Sequence, residues 1–165
     1  MITEESIPMV ITISKSPNAD SRTASKNHVS FEEFSRSTDM HRDDVKRMMD
    51  ELARMVAEAG EHHDWTKKEK EVEFFKQFTD AKEKGTSFKD SDWYKYHSTT
   101  ERHHLNSHVP EDVNLIDVLE MISDCVCAGM ARSGKLYDIE LDEKVLKKAF
   151  DNTVELVKGK IHLDD

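Results

Sequence analysis

Along most of the chain, apolar residues recur three and four positions apart, with short polar stretches between the runs. That spacing predicts amphipathic helices. Val45, Met48, Met49, Leu52, Met55, Val56 and Ala59 form one such run, starting near Met40, and Gly60 suits its C-terminus. Ser30-Phe31-Glu32-Glu33 fits a capping box and predicts a shorter helix just before it. Thr66-Lys67-Lys68-Glu69 is a second capping box, opening a helix with Val72, Phe74, Phe75, Phe78 and Ala81 that stops near Gly85. Residues 90–108 are rich in aromatics and histidines and predict one or two short helices. Asn114 caps a strongly apolar helix from Leu115 to about Arg132, and Asp142 opens the last. In that last helix Val145, Leu146, Ala149, Phe150, Val154 and Val157 are expected to face inward.

Only the N-terminus reads differently. Residues 9–13 (MVITI) are β-branched and predict a short strand, while 14–27 are polar and aperiodic, a loop. The strand either packs as an extended arm or pairs with another copy of the chain, which makes a homo-oligomer possible. The expected architecture is all-α: a single-domain bundle of five to six helices over 30–165, preceded by an arm and loop over 1–29.

Composition agrees, with only 5 Gly and 3 Pro in 165 residues. The net charge of −10 disfavours nucleic acid as a partner, because phosphate neutralisation needs Lys and Arg. It does not disfavour a small phosphorylated substrate, since a divalent ion can supply positive charge locally. No apolar run reaches the ~20 residues of a membrane span, and the start carries no basic patch, so a cytoplasmic protein is expected. Cys125 and Cys127, two apart on a helix, point to different faces and read as small buried thiols.

The candidate chemistry lies in histidines and carboxylates. His41 falls early in the first long helix, and His63-Asp64 directly follows it. His97, His103, His104 and His108 occupy the aromatic segment. Asp117, Glu120 and Asp124 share one face of the Leu115 helix, on an otherwise apolar stretch, and buried carboxylates need a partner or a cation. Asp124 is the favoured ligand, with Glu120 behind it or acting as base, and Asp117 reads as a solvated or salt-bridged carboxylate. Imidazole plus carboxylate suits Mn, Fe, Co, Ni or Zn, and Mg is not separated from them. Adjacent side chains on a regular helix diverge, so His63 and Asp64 can converge only at a helix-to-turn junction. His41 lies some 20 residues earlier, ~30 Å along a helix, so it joins them only if the helix breaks or the chain doubles back.

The order His41, His63-Asp64, Asp124 resembles the H…HD…D signature of the HD-domain superfamily of helical metal phosphohydrolases. His63-Asp64-Trp65-Thr66-Lys67 is similar to the HD-x-x-K form of its HD-GYP branch. Residues 103–111 (HHLNSHVPE) and 119–124 (LEMISD) are similar to a bacterial and phage family of HD-like proteins with an N-x-H-H-P-E run and an E-M-x-x-D helix. Val109 stands where that run has its second histidine, no G-Y-P is present, and Lys67 stands where HD nucleotidases often carry a glutamate.

The resemblance implies a divalent metal held by His41, His63, Asp64 and Asp124, with Lys67 and Glu120 catalytic. It further implies His103, His104 and His108 at a second ion or a phosphate, and Arg102 and Arg132 on substrate. The implied activity is hydrolysis of a nucleotide or other small phosphoester by metal-activated water. A catalytically silent module binding a nucleotide or protein partner is the alternative, and an HD-type nuclease is disfavoured by the charge. The plain readings differ residue by residue. His28, His62 and His162 are surface residues, Met48, Met49 and Met55 are core, and His97, His103 and His104 serve as well as hydrogen-bonded histidines among aromatics.

Overall fold

A computed structural model describes residues 10–14 and 29–164. Of the loop expected at 14–27, Ser14 is instead the last residue of a strand, and 15–27, with Met9 and His28, lie outside the described residues. Among the described residues the fold is all-α in class, with six α-helices and one short two-stranded sheet: β1 Ile11–Ser14, α1 Phe31–His62, α2 Trp65–Glu69, α3 Glu71–Lys84, α4 Asp92–Thr100, α5 Leu115–Ser133, α6 Glu143–Gly159 and β2 Ile161–Asp164. A 3-10 turn at Phe88–Asp90 precedes α4. No helix among the described residues is long and apolar enough to cross a membrane.

The chain forms two compact units, Met55–Thr153 and Met1–Arg54 with Val154–Asp165. In the second of these, β1 pairs in parallel with β2, Ile11 opposite Ile161 and Ser14 opposite Asp164. The predicted strand therefore finds its partner within its own chain, in a C-terminal strand that the sequence reading missed. Ile11 is buried, and Arg47 Nη2 donates to Thr12 O at 3.0 Å. Glu51, fully buried on α1, accepts from Arg54 Nε and Nη2, both at 2.8 Å, and from Lys160 Nζ at 2.7 Å. Burial of a carboxylate is tolerable only with such pairing.

The unit Met55–Thr153 carries the candidate site. Its core is Leu105, Val113, Val118, Met121 and Ala149, with Val109, Leu141 and Val145 packed against it. Val109, at the position where the resembled run has a histidine, is thus a packing residue. Asn114 caps α5 through a full capping box with Asp117. Asn152 Nδ2 donates to Val113 O at 2.8 Å, and Leu115 N donates to Thr153 Oγ1 at 2.9 Å, fastening α5 to α6. A Cβ at Gly129 would come within 2.8 Å of Lys135 O and 3.3 Å of the Tyr137 ring. Only glycine lets the segment after α5 lie this close.

Several expectations need correction. The helix predicted to end at Gly60 runs on to His62, and the short helix before it is part of the same α1, opened by the Ser30–Glu33 box. The helix predicted from Thr66 to Gly85 is two, broken at Lys70, whose backbone leaves the helical region. Thr66 caps nothing. Gly85 does end α3, in the left-handed region. The apolar stripes are wider than the strips that neighbours cover. Met48 and Ala149 are buried, but Met49, Val45 and Val56 on α1 and Leu146, Phe150 and Val154 on α6 are exposed. Cys125 is half-buried and Cys127 exposed, so the expected pair of buried thiols is not found.

Candidate metal centre

The link between α1 and α2 turns on one residue. Asp64 has φ 58° and ψ 28°, and among the described residues no other non-glycine has positive φ. Aspartate tolerates this left-handed conformation better than most residues, at a cost of order 1 kcal/mol. The kink lets the neighbouring side chains His63 and Asp64 converge, which a continuous helix forbids. His63 Nε2 lies 3.4 Å from Asp64 Oδ2 and 3.6 Å from Asp124 Oδ1 on α5.

Three more histidines close the cluster. His97, near the end of α4, places Nε2 3.4 Å from Asp64 Oδ1. His103 and His104 follow in the loop before α5, with His103 Nε2 3.8 Å from Asp64 Oδ1 and His104 Nε2 2.8 Å from His97 Nε2. Two groups could each hold a metal ion: His63, His103 and Asp124, and Asp64, His97 and His104, with ligand atoms within 4.8 Å of one another in each group. Asp64 stands between them, with one oxygen near His63 and the other near His97 and His103.

Hydrogen-bond accounting supports that use. Glu120 Oε1 lies 2.9 Å from His63 Nδ1 and 2.9 Å from His103 Nδ1. A carboxylate only accepts, so the His63 proton sits on Nδ1 and its Nε2 lone pair turns toward Asp64 and Asp124. Asp64 Oδ1 and both ring nitrogens of His103 are buried and have no hydrogen-bond partner, so the approach of His103 Nδ1 to Glu120 is an ion-pair distance rather than a formed hydrogen bond. Such orphaned groups are destabilising unless a cation or proton satisfies them. The residues present therefore fit a metal ion of the imidazole- and carboxylate-binding kind.

The local electrostatics are divided. Burial, then the neighbouring His104, lowers the His97 pKa to about 4. Burial, then His103, lowers that of His104 to about 4. Both rings are neutral at pH 7, the form that ligates. His103 goes the other way: burial opposes its charge, but Glu120, Asp64 and Asp124 outweigh burial and raise its pKa. Burial raises and Lys67 lowers the Asp64 pKa, and Lys67 prevails. Positive charge is favoured on the His103 side, as proton or as metal.

The cluster opens into a cavity of about 580 Å³ lined by His97, His103, His104 and Asp124. Lys67, Lys89 and Arg132 supply its positive charge, and Phe74, Phe88, Trp93, Tyr94 and Tyr137 its aromatic wall. Lys67 Nζ pairs with Asp64 Oδ2.

Of the expected site residues, the structure brings His63, Asp64, Asp124, His103 and His104 together, with Lys67 and Arg132 at the cavity. Three stand elsewhere. His41 sits on α1, which runs unbroken to His62, and it belongs to neither ligand group found among the described residues. His108 is exposed and likewise in neither group. Arg102 is held by Asp117, Nε to Oδ1 at 2.7 Å and Nη2 to Oδ2 at 2.9 Å, and by Asp112 at 3.0 Å. Asp117 is salt-bridged and buried, the second of the two readings, solvated or salt-bridged, that the sequence left open. Glu120 faces histidine Nδ1 atoms rather than the cavity, which makes it an orienting group. The residue missing from the expected ligands is His97. Its signal was present: it lies four positions after Trp93, on the aromatic face of a short helix, and the two rings stack at 4.9 Å.

A family model described as a family of unknown function (DUF5662) matches residues 30–158. No curated protein and no solved structure matches the chain.

Proposed function

We propose, for this chain, which belongs to the DUF5662 family, that the cluster is the centre of a metal-dependent phosphohydrolase of the HD type acting on a small phosphoester, a nucleotide among them. The observation that carries the reading is the convergence of His63, Asp64, His97, His103, His104 and Asp124, with Asp64 Oδ1 and His103 Nε2 buried and unpartnered. The ligand set differs from the one the H…HD…D order implied, because His41 is absent from it, while the HD pair and the distal aspartate are retained.

His63, His103 and Asp124 would hold one divalent ion, and Asp64, His97 and His104 offer a second set. When bound, such an ion supplies Lewis acidity and an activated water for attack at phosphorus. Glu120 keeps the His63 imidazole turned inward and lies beside that of His103. Lys67 and Arg132 face the cavity and steady phosphate oxygens. The aromatic wall takes the apolar part of the substrate and limits water.

The test is a screen of phosphoesters and nucleotides with Mn, Co, Ni and Mg, run beside Asp64→Ala. Turnover that needs the metal, is abolished by chelator and is lost in Asp64→Ala is expected. Absence of turnover with every metal, or equal rates in Asp64→Ala, rules the reading out.

A further inference from the structure

Behind His97 lies a second buried arrangement that ligand geometry alone does not require. Thr66 is fully buried and Glu101 nearly so. Thr66 Oγ1 lies 2.6 Å from His97 Nδ1 and 2.6 Å from Glu101 Oε1. The same Glu101 oxygen accepts from Thr66 N at 2.9 Å. A hydroxyl has one proton and two lone pairs. If that proton went to His97, the Thr66 oxygen would face the Glu101 oxygen at 2.6 Å with no hydrogen between them. The hydroxyl therefore donates to Glu101, and its lone pair accepts from His97 Nδ1–H.

We propose that Thr66 and Glu101 are positioning residues that lock His97 as the Nδ1–H tautomer and aim its Nε2 lone pair at Asp64 Oδ1 and His104 Nε2. The pair acts on His97 as Glu120 acts on His63, from the opposite side of the cluster and with a hydroxyl interposed. It also accounts for a buried carboxylate at Glu101, which no lysine or arginine pairs among the described ion pairs. Glu101 fixes the direction of the Thr66 proton, and Thr66 fixes that of His97. The sequence position fits the role: Thr66 is two residues after Asp64, so the kink that turns Asp64 inward delivers the hydroxyl to the back of the ring. The consequence for ion affinity rests on the metal reading above, but the tautomer does not.

Two readouts on the full chain test this. In metal-stripped protein, long-range ¹⁵N–¹H correlation of the imidazoles should show His97 protonated at Nδ1. Thr66→Val, close in shape, should lose that preference, and Glu101→Ala should reverse it by freeing the hydroxyl to donate to the ring. Titration with Co²⁺ alone should give Thr66→Val an affinity roughly 10–100-fold weaker than the parent, the usual range for loss of such a supporting bond, with Thr66→Ser restoring it. A purely structural threonine would alter thermal stability without moving the tautomer. His97 protonated at Nε2 in the parent protein overturns the proposal, and so does a Thr66→Val protein that keeps the Nδ1–H tautomer. If Thr66→Val does not fold, the parent and Thr66→Ser spectra still decide. A parent that binds no Co²⁺ yet shows the Nδ1–H tautomer, reversed in Glu101→Ala, upholds the pair and defeats the metal reading instead.

Discussion

Glu120 Oε1 accepts a hydrogen bond from His63 Nδ1 at 2.9 Å, and that contact decides which nitrogen of His63 faces Asp64 and Asp124. It also separates two roles for Glu120. An orienting carboxylate acts through ion affinity, so Glu120→Ala should weaken metal binding about 10–100-fold, with kcat recovering at saturating metal. A general base would leave affinity intact and lower kcat by a factor of about 10²–10⁴ at any metal concentration. Metal titration of the rate distinguishes the two, and the first pattern is expected.

The left-handed backbone at Asp64 predicts a separation of stability from function. Asp64→Gly should remove both the strain and the unpartnered Oδ1, while deleting the carboxylate of the Asp64, His97 and His104 set. Thermal unfolding without metal should show a Tm equal to or a few degrees above the parent, since about 1 kcal/mol moves Tm by roughly 2–4 °C at this size. Metal binding at that set should be lost. A clear fall in Tm would show that the Asp64–Lys67 pair outweighs the strain.

Arg102 and Arg132 should behave differently. The bidentate hold of Asp117 on Arg102 makes Arg102→Lys a stability variant, of order 1–3 kcal/mol in urea unfolding, with KM unchanged. Arg132 lines the cavity, so Arg132→Ala should raise KM for a phosphoester substrate and leave stability within about 0.5 kcal/mol. The reverse pattern would reassign the substrate cation to Arg102.

Glu51 predicts a pH dependence remote from the cluster. The Arg54 hydrogen bonds first, then Lys160, hold its pKa down to about 2 against the opposing effect of burial. A carboxylate with a depressed folded pKa stabilises the fold above its unfolded pKa of about 4.5, and that contribution drains away as pH falls toward 2. Glu51→Gln should therefore be less stable than the parent at pH 7, by roughly 3–5 kcal/mol for a broken buried pair, with the difference shrinking as pH drops from about 4.5 toward 2. Urea melts across that range check it, and a constant difference would contradict it.

Much of this was legible from sequence where chemistry is local. The Asn114 cap, the start of α5 and the left-handed stop at Gly85 follow from residues within one turn of each other. The convergence of His63 with Asp64 at a junction was foreseeable because no regular helix allows it. What failed was non-local. β2 has four residues with no period of its own and exists through its pairing with β1. The break at Lys70 interrupts an unbroken amphipathic pattern, and Thr66 is held by Glu101 and His97 rather than capping a helix. His41 matched a motif order but belongs to neither ligand group among the described residues. His97 was one histidine among several until packing against Trp93 turned its ring toward Asp64.

The central claim is that these side chains grip a metal ion, and elemental analysis of the purified chain tests it most directly. After incubation with Mn, Fe, Co, Ni or Zn and desalting, the parent should retain at least one equivalent of a transition metal, and Asp64→Ala should retain far less. A parent protein that emerges with no ion above background, or an Asp64→Ala protein that retains as much, would contradict the account.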